Sequence, residues 1–218
     1  MRALIAGAGR LGAQIAQVLA AAHHDVSLID IDPDRIAELS GSIAVPMRVG
    51  DACAPDFLEA AGVHGADLII AATGRDDDNL VISLLAKRQF AVPRVAARVN
   101  EGENSWLFTS HWGVDVAVST ATPLVSLIEE ATGATDTVAL LRLSKAGVEV
   151  IETVITTRSR TAGAPLSDLV LPSGTVIATV VRDGQPTAPE PDMRLRPGDE
   201  VLLVSHRATE QDVQSAFQ

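Results

Sequence analysis

Tyrosine is absent from the 218 residues, aromatic side chains make up 3%, and cysteine occurs once, as Cys53. So few rings leave no platform on which successive bases could stack. A single thiol excludes an internal disulfide and fits a reducing compartment, with Cys53 reading as a small buried hydrophobe. Basic residues are outnumbered, 17 Lys and Arg against 28 Asp and Glu, and the net charge is −11. With no basic stripe to displace counterions, nucleic acid is not expected as a partner. No apolar run approaches the roughly 18–20 residues a membrane helix needs. Met1 leads directly into an apolar run, so no signal peptide is expected and the chain reads as soluble and cytoplasmic.

What the chain does have is apolar material, 47% of its residues, enough for a sizeable core. Its organising stretch is the first. Ala3 to Ala6 is a short apolar run of the kind buried on both faces of a sheet. Gly7-Ala8-Gly9-Arg10-Leu11-Gly12 follows at once as a full G-x-G-x-x-G, and an Ala- and Leu-rich helical pattern runs from Leu11 to Ala22. Val26 to Ile29 is a second apolar run, closed by Asp30. In this context Gly7 serves the sharp turn, Gly9 the close approach of backbone to a phosphate, and Gly12 the packing of helix on strand. The helix N-terminus offers free N–H groups to an anion. Asp30 stands where a carboxylate accepts ribose hydroxyls, and its charge disfavours a 2′-phosphate. NAD or an adenine nucleotide is therefore expected over NADP, the next basic residue being Arg35. The competing reading is a glycine turn that binds nothing.

Strand and helix patterns then alternate. Helices are expected over Asp34–Leu39, Pro55–Ala61, a stretch from Asp76 to about Phe90, and Asn104–His111. Strands are expected over Ala44–Val49, Leu68–Ala72, Arg94–Val99 and Val114–Val118. Six strands in this alternation predict an α/β fold, a Rossmann-like doubly wound parallel sheet. Ligands of such sheets sit beyond the carboxyl ends of the strands. That gathers Gly7 to Gly12, Asp30, Asp51-Ala52, Thr73-Gly74 and Arg98. Arg98 reads equally as a phosphate contact or as an ion-pair partner of Glu101 or Glu103. The run Asp76-Asp77-Asp78 reads as acids stabilising a helix N-terminus in preference to a metal site, because consecutive helical residues diverge.

Thr120 to Glu130 has helical spacing through Leu124, Leu127 and Ile128 and reads as a linker or crossover element. Beyond it the texture changes to hairpins. Strands are expected over Val138–Leu143, Val148–Thr156, Thr175–Arg182 and Glu200–Ser205. Turns are expected at Lys145-Ala146-Gly147 and at Asp183-Gly184, the latter of type I′. Pro165–Leu169 reads as a short helix and Ala208–Phe217 as a weak one. The expected domains are residues 1–119, a linker helix at 120–133, and a small α+β domain at 134–218.

These residues resemble a known family, the cytosolic regulatory subunits of Trk/Ktr-type potassium uptake systems (TrkA-like proteins with an RCK N-terminal and an RCK C-terminal domain). The resemblance rests on the glycine loop with Arg10 inside it, Leu28-Ile-Asp-Ile-Asp32, Gly50-Asp51-Ala52, Thr73-Gly74 with Asn79 and Ala86-Lys87, and Ala97-Arg98-Val99-Asn100. In the second half it rests on Leu166-Ser-Asp-Leu169, Leu171-Pro-Ser-Gly174, Val181-Arg-Asp-Gly184 and Leu195-Arg-Pro-Gly-Asp-Glu-Val201. It implies a first domain that binds NAD(H) or ATP/ADP and regulates potassium flux through a membrane channel or transporter subunit. It places phosphates on Gly7, Ala8, Gly9, Arg10 and Leu11, ribose on Asp30, and adenine beside Asp51 and Ala52. Thr73, Gly74 and Arg98 line the rest, which turns Arg98 toward a ligand. Some members read a terminal phosphate with a Glu after the last strand of the sheet. Here that stretch is Ser119-Thr-Ala-Thr, which counts against ATP sensing by that route. Many relatives carry the two-domain unit twice, so one copy implies assembly as a dimer, tetramer or ring, or with a related second subunit. The implied location is the inner face of the plasma membrane. The alternative is a small NAD-dependent oxidoreductase, but the second half offers only Lys145 and His206 as acid–base candidates, and both read as surface residues. A redox-sensing repressor fits less well, given the acidic charge and no DNA-reading helix. No catalytic residue and no metal ligand is expected.

Overall fold

The computed structural model describes residues 1–119, 121–143 and 147–218, with the backbone alone for 122, 123, 130, 142 and 143. They form two compact units, Met1–Ala121 and Thr122–Gln218.

The first unit is a six-stranded all-parallel sheet in the order β3-β2-β1-β4-β5-β6. Its strands are β1 (Arg2–Ala6), β2 (Asp25–Asp30), β3 (Met47–Val49), β4 (Leu68–Ala71), β5 (Arg94–Val99) and β6 (Val116–Ser119). The central β1 is Ala-Leu-Ile-Ala after its first residue, and all four side chains are buried. Alternation sends them to opposite faces. Leu4 and Ala6 join Leu58, Ile69, Leu80 and Ile82 in one core, and Ile5 joins Ala16, Val26 and Leu28 in the other. The first core receives α3 (Pro55–Ala60) and α4 (Asp76–Leu84), the second α1 (Arg10–Ala21) and α2 (Pro33–Ser40). Each fully buried Ile or Leu here contributes about 1.5–3 kcal/mol relative to exposure. α2 starts where the sequence places it. Asp32 accepts the Asp34 N–H at 2.9 Å, with Pro33 at the first helical position.

Three expected elements differ. β3 covers only Met47–Val49 of the expected Ala44–Val49. The helix expected to reach Phe90 is α-helical only to Leu84, and Leu85–Gln89 is a π turn, closed by the Phe90 N–H on the Leu85 carbonyl at 3.1 Å. The wider turn accompanies two anchors: Lys87 Nζ lies 2.9 Å from the Pro93 carbonyl and 2.8 Å from Asp115, and Arg88 reaches the His111 carbonyl. The expected helix over Asn104–His111 is two 3₁₀ turns, Gly102–Leu107 and Ser110–Trp112.

The second unit begins with α5 (Thr122–Thr132) and continues as a five-stranded antiparallel sheet in the order β10-β9-β11-β8-β7. Its strands are β7 (Thr137–Leu143), β8 (Val148–Val154), β9 (Thr175–Arg182), β10 (Gln185–Thr187) and β11 (Glu200–Ser205). β9 and β10 are joined by Asp183 and Gly184, both with positive φ, as a type I′ turn requires. β10 was not expected, because Pro186 sits inside it; as an edge strand it pairs on one side only. Lys145 and Ala146 of the expected first turn, and Thr120 at the start of the expected linker helix, lie outside the described residues. The expected Pro165–Leu169 helix is a single 3₁₀ turn, Leu166–Asp168. α6 (Glu210–Phe217) opens with a capping box between Thr209 and Asp212 and packs Val213 and Phe217 into a core with Ile151, Leu195, Val201 and Leu203. The carboxylate of Asp199, 1% exposed, receives Arg182 Nε and Nη2 at 2.7 Å each and the Arg196 N–H at 2.7 Å. Burial pushes the Asp199 carboxyl up, and the bonds from Arg182 and Arg196 more than reverse it, leaving it below the usual carboxylate range.

Candidate functional site

The glycine loop is built by contact as much as by conformation. Gly7 has φ +105°, and a methyl group there would lie 2.7 Å from the backbone of Ala72 and Thr73. On Gly12 it would lie 1.9 Å from the Gly7 carbonyl oxygen, so the first turn of α1 rests directly on the end of β1. At Gly9 it would meet nothing within 4 Å. Packing therefore demands Gly7 and Gly12 but not Gly9, which faces open space at the start of α1.

Gly9 also stands on the wall of a cavity of about 410 Å³ at the carboxyl ends of β1 to β5. Gly7, Gly9, Asp30, Asp51, Ala52, Thr73, Gly74 and Arg98 all line it. Four other candidates stand outside the lining. Ala8 is fully buried, Arg10 and Leu11 open α1, and Gly12 is buried beneath Gly7. Asp32, Arg35, Cys53, Arg75 and Asp78, not among the residues expected at this site, also line the wall. All follow strand ends within a few residues, which is the signal that could have found them.

Asp30 is held in place. Its Oδ2 accepts the Ala8 N–H at 2.5 Å and its Oδ1 the Asp32 N–H at 2.9 Å, so the loop and the end of β2 are fixed to one another. Arg35 donates to the Ala8 carbonyl at 3.2 Å and pairs with Glu38 at 2.7 Å. Arg75 is spent on Asp77 and Asp78. Arg98 differs: its Nε is buried without a hydrogen-bond partner, and among the described residues it forms no ion pair with Glu101 or Glu103. A buried, unpaired guanidinium nitrogen is costly, and an anion in the cavity would relieve it. Burial, with Asp78 and Asp51 alongside, pushes the Cys53 thiol up to about 12, so it stays protonated near neutral pH.

The wall is tied together by amide side chains. Asn79 is fully buried; its Oδ1 accepts the Thr73 N–H at 2.9 Å, and its Nδ2 donates to the Arg98 carbonyl at 2.9 Å and the Thr73 carbonyl at 3.3 Å. The three consecutive aspartates part company. Asp77 and Asp78 face Arg75, whereas Asp76 is buried against the segment after β5. No group of three or more metal-ligating side chains occurs among the described residues. A larger cavity, about 530 Å³, opens in the second unit beside Leu171 and Ala216. The one cation on its wall, Arg160, is bonded to the Ser215 carbonyl. Among the described residues no helix is long and apolar enough to cross a membrane.

Comparison with known proteins adds sequence and fold relatives. The TrkA-N domain model matches residues 3–120 and the TrkA-C domain model residues 150–218. The chain is 40% identical to the Trk system potassium uptake protein TrkA of Mycobacterium tuberculosis over 216 residues, covering 98% of this chain and 96% of that one. It is similar in fold to the GsuK channel bound to NAD, with TM-score 0.59 and 18% identity over 99% of this chain and 39% of that one. It is also similar to GsuK bound to ADP, with TM-score 0.51 and 28% identity over 60% of this chain and 34% of that one.

Proposed function

The chain belongs to the TrkA family of Trk system potassium uptake proteins, and from that membership we propose that it is the nucleotide-binding regulatory subunit of a Trk-type system. In this reading it catalyses nothing; it controls potassium flux through a membrane channel subunit from the inner face of the plasma membrane. The ligand is NAD(H) or ATP/ADP. The glycine loop from Gly7 to Leu11 takes phosphate, through N–H groups other than those of Gly7 and Ala8, which bond the Ile29 carbonyl and Asp30; Asp30 takes the ribose hydroxyls, Asp51 and Ala52 flank adenine, and Thr73, Gly74 and Arg98 close the wall.

One observation carries the reading: a single crevice holds Gly9 facing open space, a fixed Asp30, and Arg98 with an unpartnered buried nitrogen. The ADP-bound relative supports an adenine nucleotide in particular. A 2′-phosphate is disfavoured, because Asp30 and Asp32 flank its place and Arg35 is engaged by Glu38. Residues 1–119 are the nucleotide-binding domain, 120–133 the element that crosses or hinges between protomers, and 134–218 the C-terminal domain. Leu124, Val125, Leu127 and Ile128 are each at least half exposed on α5, which supports a homo-oligomer built on that helix. A nucleotide moves such a gate only by its difference in affinity for two states of the assembly.

The test is a thermal-shift panel with NADH, NAD, NADPH, ATP, ADP and AMP, on the parent and on Asp30→Ala. A ligand at about 100 times its Kd adds roughly 2.7 kcal/mol. Stabilisation by NAD(H) or by ATP and ADP, weakened in Asp30→Ala, is expected, followed by nucleotide-dependent flux when the protein is reconstituted with its channel. No shift with any nucleotide would leave the glycine loop as architecture alone.

A further inference from the structure

We propose that Asp76 is a positioning residue of the crevice, tying the wall at Thr73 and Arg98 to the exposed turn that carries Trp106, so that nucleotide binding alters the surroundings of Trp106. This rests on the nucleotide reading above.

Asp76 stands at the N-terminal end of α4, yet its hydrogen bonds run to the segment after β5. It accepts the Asn100 N–H at 2.7 Å, Asn100 Nδ2 at 3.0 Å, the Glu101 N–H at 3.0 Å and Asn104 Nδ2 at 2.9 Å. Only a carboxylate suits four donors, since it offers lone pairs and no proton. Burial pushes this carboxyl up, and the bonds from Asn104, Asn100 and Glu101 more than reverse it, so it is ionised at neutral pH. Asn79, three residues on and therefore on a neighbouring face of the helix, holds Thr73 and the Arg98 carbonyl. Asn100 joins the two halves, because its Nδ2 also lies 3.2 Å from the Thr73 carbonyl. Asp76, Asn79 and Asn100 thus form one network. Its inner end is cavity wall, and its outer end is Asn104 in the Gly102–Leu107 turn.

Trp106 sits in that turn and is 74% exposed, while Trp112 is half-buried against the core. An anion that supplies the missing partner of Arg98 Nε pulls on the end of β5. The next residues of the chain, Asn100, Glu101 and Asn104, are pinned to Asp76. The displacement is therefore handed to the turn and not absorbed in a free loop.

The experiment uses the full chain carrying Trp112→Phe, so that Trp106 is the only tryptophan, with ADP as probe and acrylamide as quencher. Calorimetry measures ADP binding independently. Saturating ADP is expected to change the acrylamide quenching constant of Trp106. Asp76→Asn is expected to weaken ADP by roughly two- to thirtyfold and to abolish the quenching response even at saturation, which a loss of stability alone would not do. Asn104→Ala removes only the outermost tie, and it is expected to bind ADP within about twofold of the parent while losing the response. Should Asp76→Asn fail to fold, Asn104→Ala decides. ADP binding with no change at Trp106, or a full response in Asn104→Ala, overturns the coupling and leaves the nucleotide site standing. Failure of the parent to bind either ADP or NADH overturns the site itself.

Discussion

A methyl group added at Gly9, on the wall of the crevice, would meet nothing within 4 Å, and one added at Gly12 would strike the Gly7 carbonyl. The two glycines of one motif therefore separate by experiment. Gly12→Ala is expected to destabilise the first unit by about 1–3 kcal/mol, the usual cost of overpacking. Gly9→Ala is expected to unfold within about 0.5 kcal/mol of the parent, as surface changes do, yet to lose ADP affinity. Urea titration and calorimetry on both variants check this; a Gly9→Ala protein that binds like the parent would remove the loop from the site. At this scale the sequence was legible where one residue type has one use, as at Gly7 and the Asp32–Pro33 helix start. It was not legible for Asp76, Asp77 and Asp78. Spacing says that consecutive side chains diverge, but only the fold says that one of them meets Asn100 and Asn104 while its neighbours meet Arg75. Arg98 was undecided from its neighbours in sequence for the same reason. Its carbonyl partner Asn79 is 19 residues away.

Elements were legible through their apolar runs, and the failures fall where those runs stop informing. α4 buries Asn79 and Ser83 as fully as it buries Ile82, so its pattern does not mark where α-helical bonding gives way at Leu85. The π turn ends at Phe90, and Ala91 then takes φ +52°, a left-handed conformation that costs a residue with a Cβ roughly 1–2 kcal/mol. Ala91→Gly removes that cost and adds unfolded-state freedom worth about 0.4–1 kcal/mol. A net gain of about 0.5 kcal/mol in unfolding free energy is expected, read as a higher urea midpoint. The two 3₁₀ turns, Gly102–Leu107 and Ser110–Trp112, read in the sequence as one helix over Asn104–His111, because short helices share composition with α-helical ones and only the hydrogen-bond ladder tells them apart.

At the scale of the whole molecule, among the described residues each unit keeps one buried carboxylate ionised by its neighbours, Asp76 in the first and Asp199 in the second. Both are held below the usual range in the folded protein. The unfolded chain therefore binds protons first as pH falls, and stability is lost on the acid side. Stability is expected to stay level from neutral pH to about 5 and to fall progressively below about 4, as followed by circular dichroism in urea across pH. Arg182→Ala leaves the Asp199 carboxylate buried without its main partner and is expected to cost the second unit about 3 kcal/mol at pH 7. That pair also explains two stretches that carried the family resemblance, since Val181-Arg-Asp-Gly184 and Leu195-Arg-Pro-Gly-Asp-Glu-Val201 meet through it. Leu127→Glu on α5 is expected to shift the proposed homo-oligomer toward monomer, measured by light scattering after gel filtration. An unchanged mass would move the assembly surface elsewhere.

The rarity of cysteine has a practical consequence. The only thiol of the chain stands on the crevice wall between Asp51 and Asp78, where it packs against the core and holds its proton to about pH 12. Alkylation requires the thiolate, so a maleimide is expected to react slowly with Cys53, and faster whenever the rim opens and water reaches the thiol. Its rate at fixed pH is a clock for opening of the rim, carried by the unmodified chain and read by mass spectrometry. Adding ADP is expected to slow that clock.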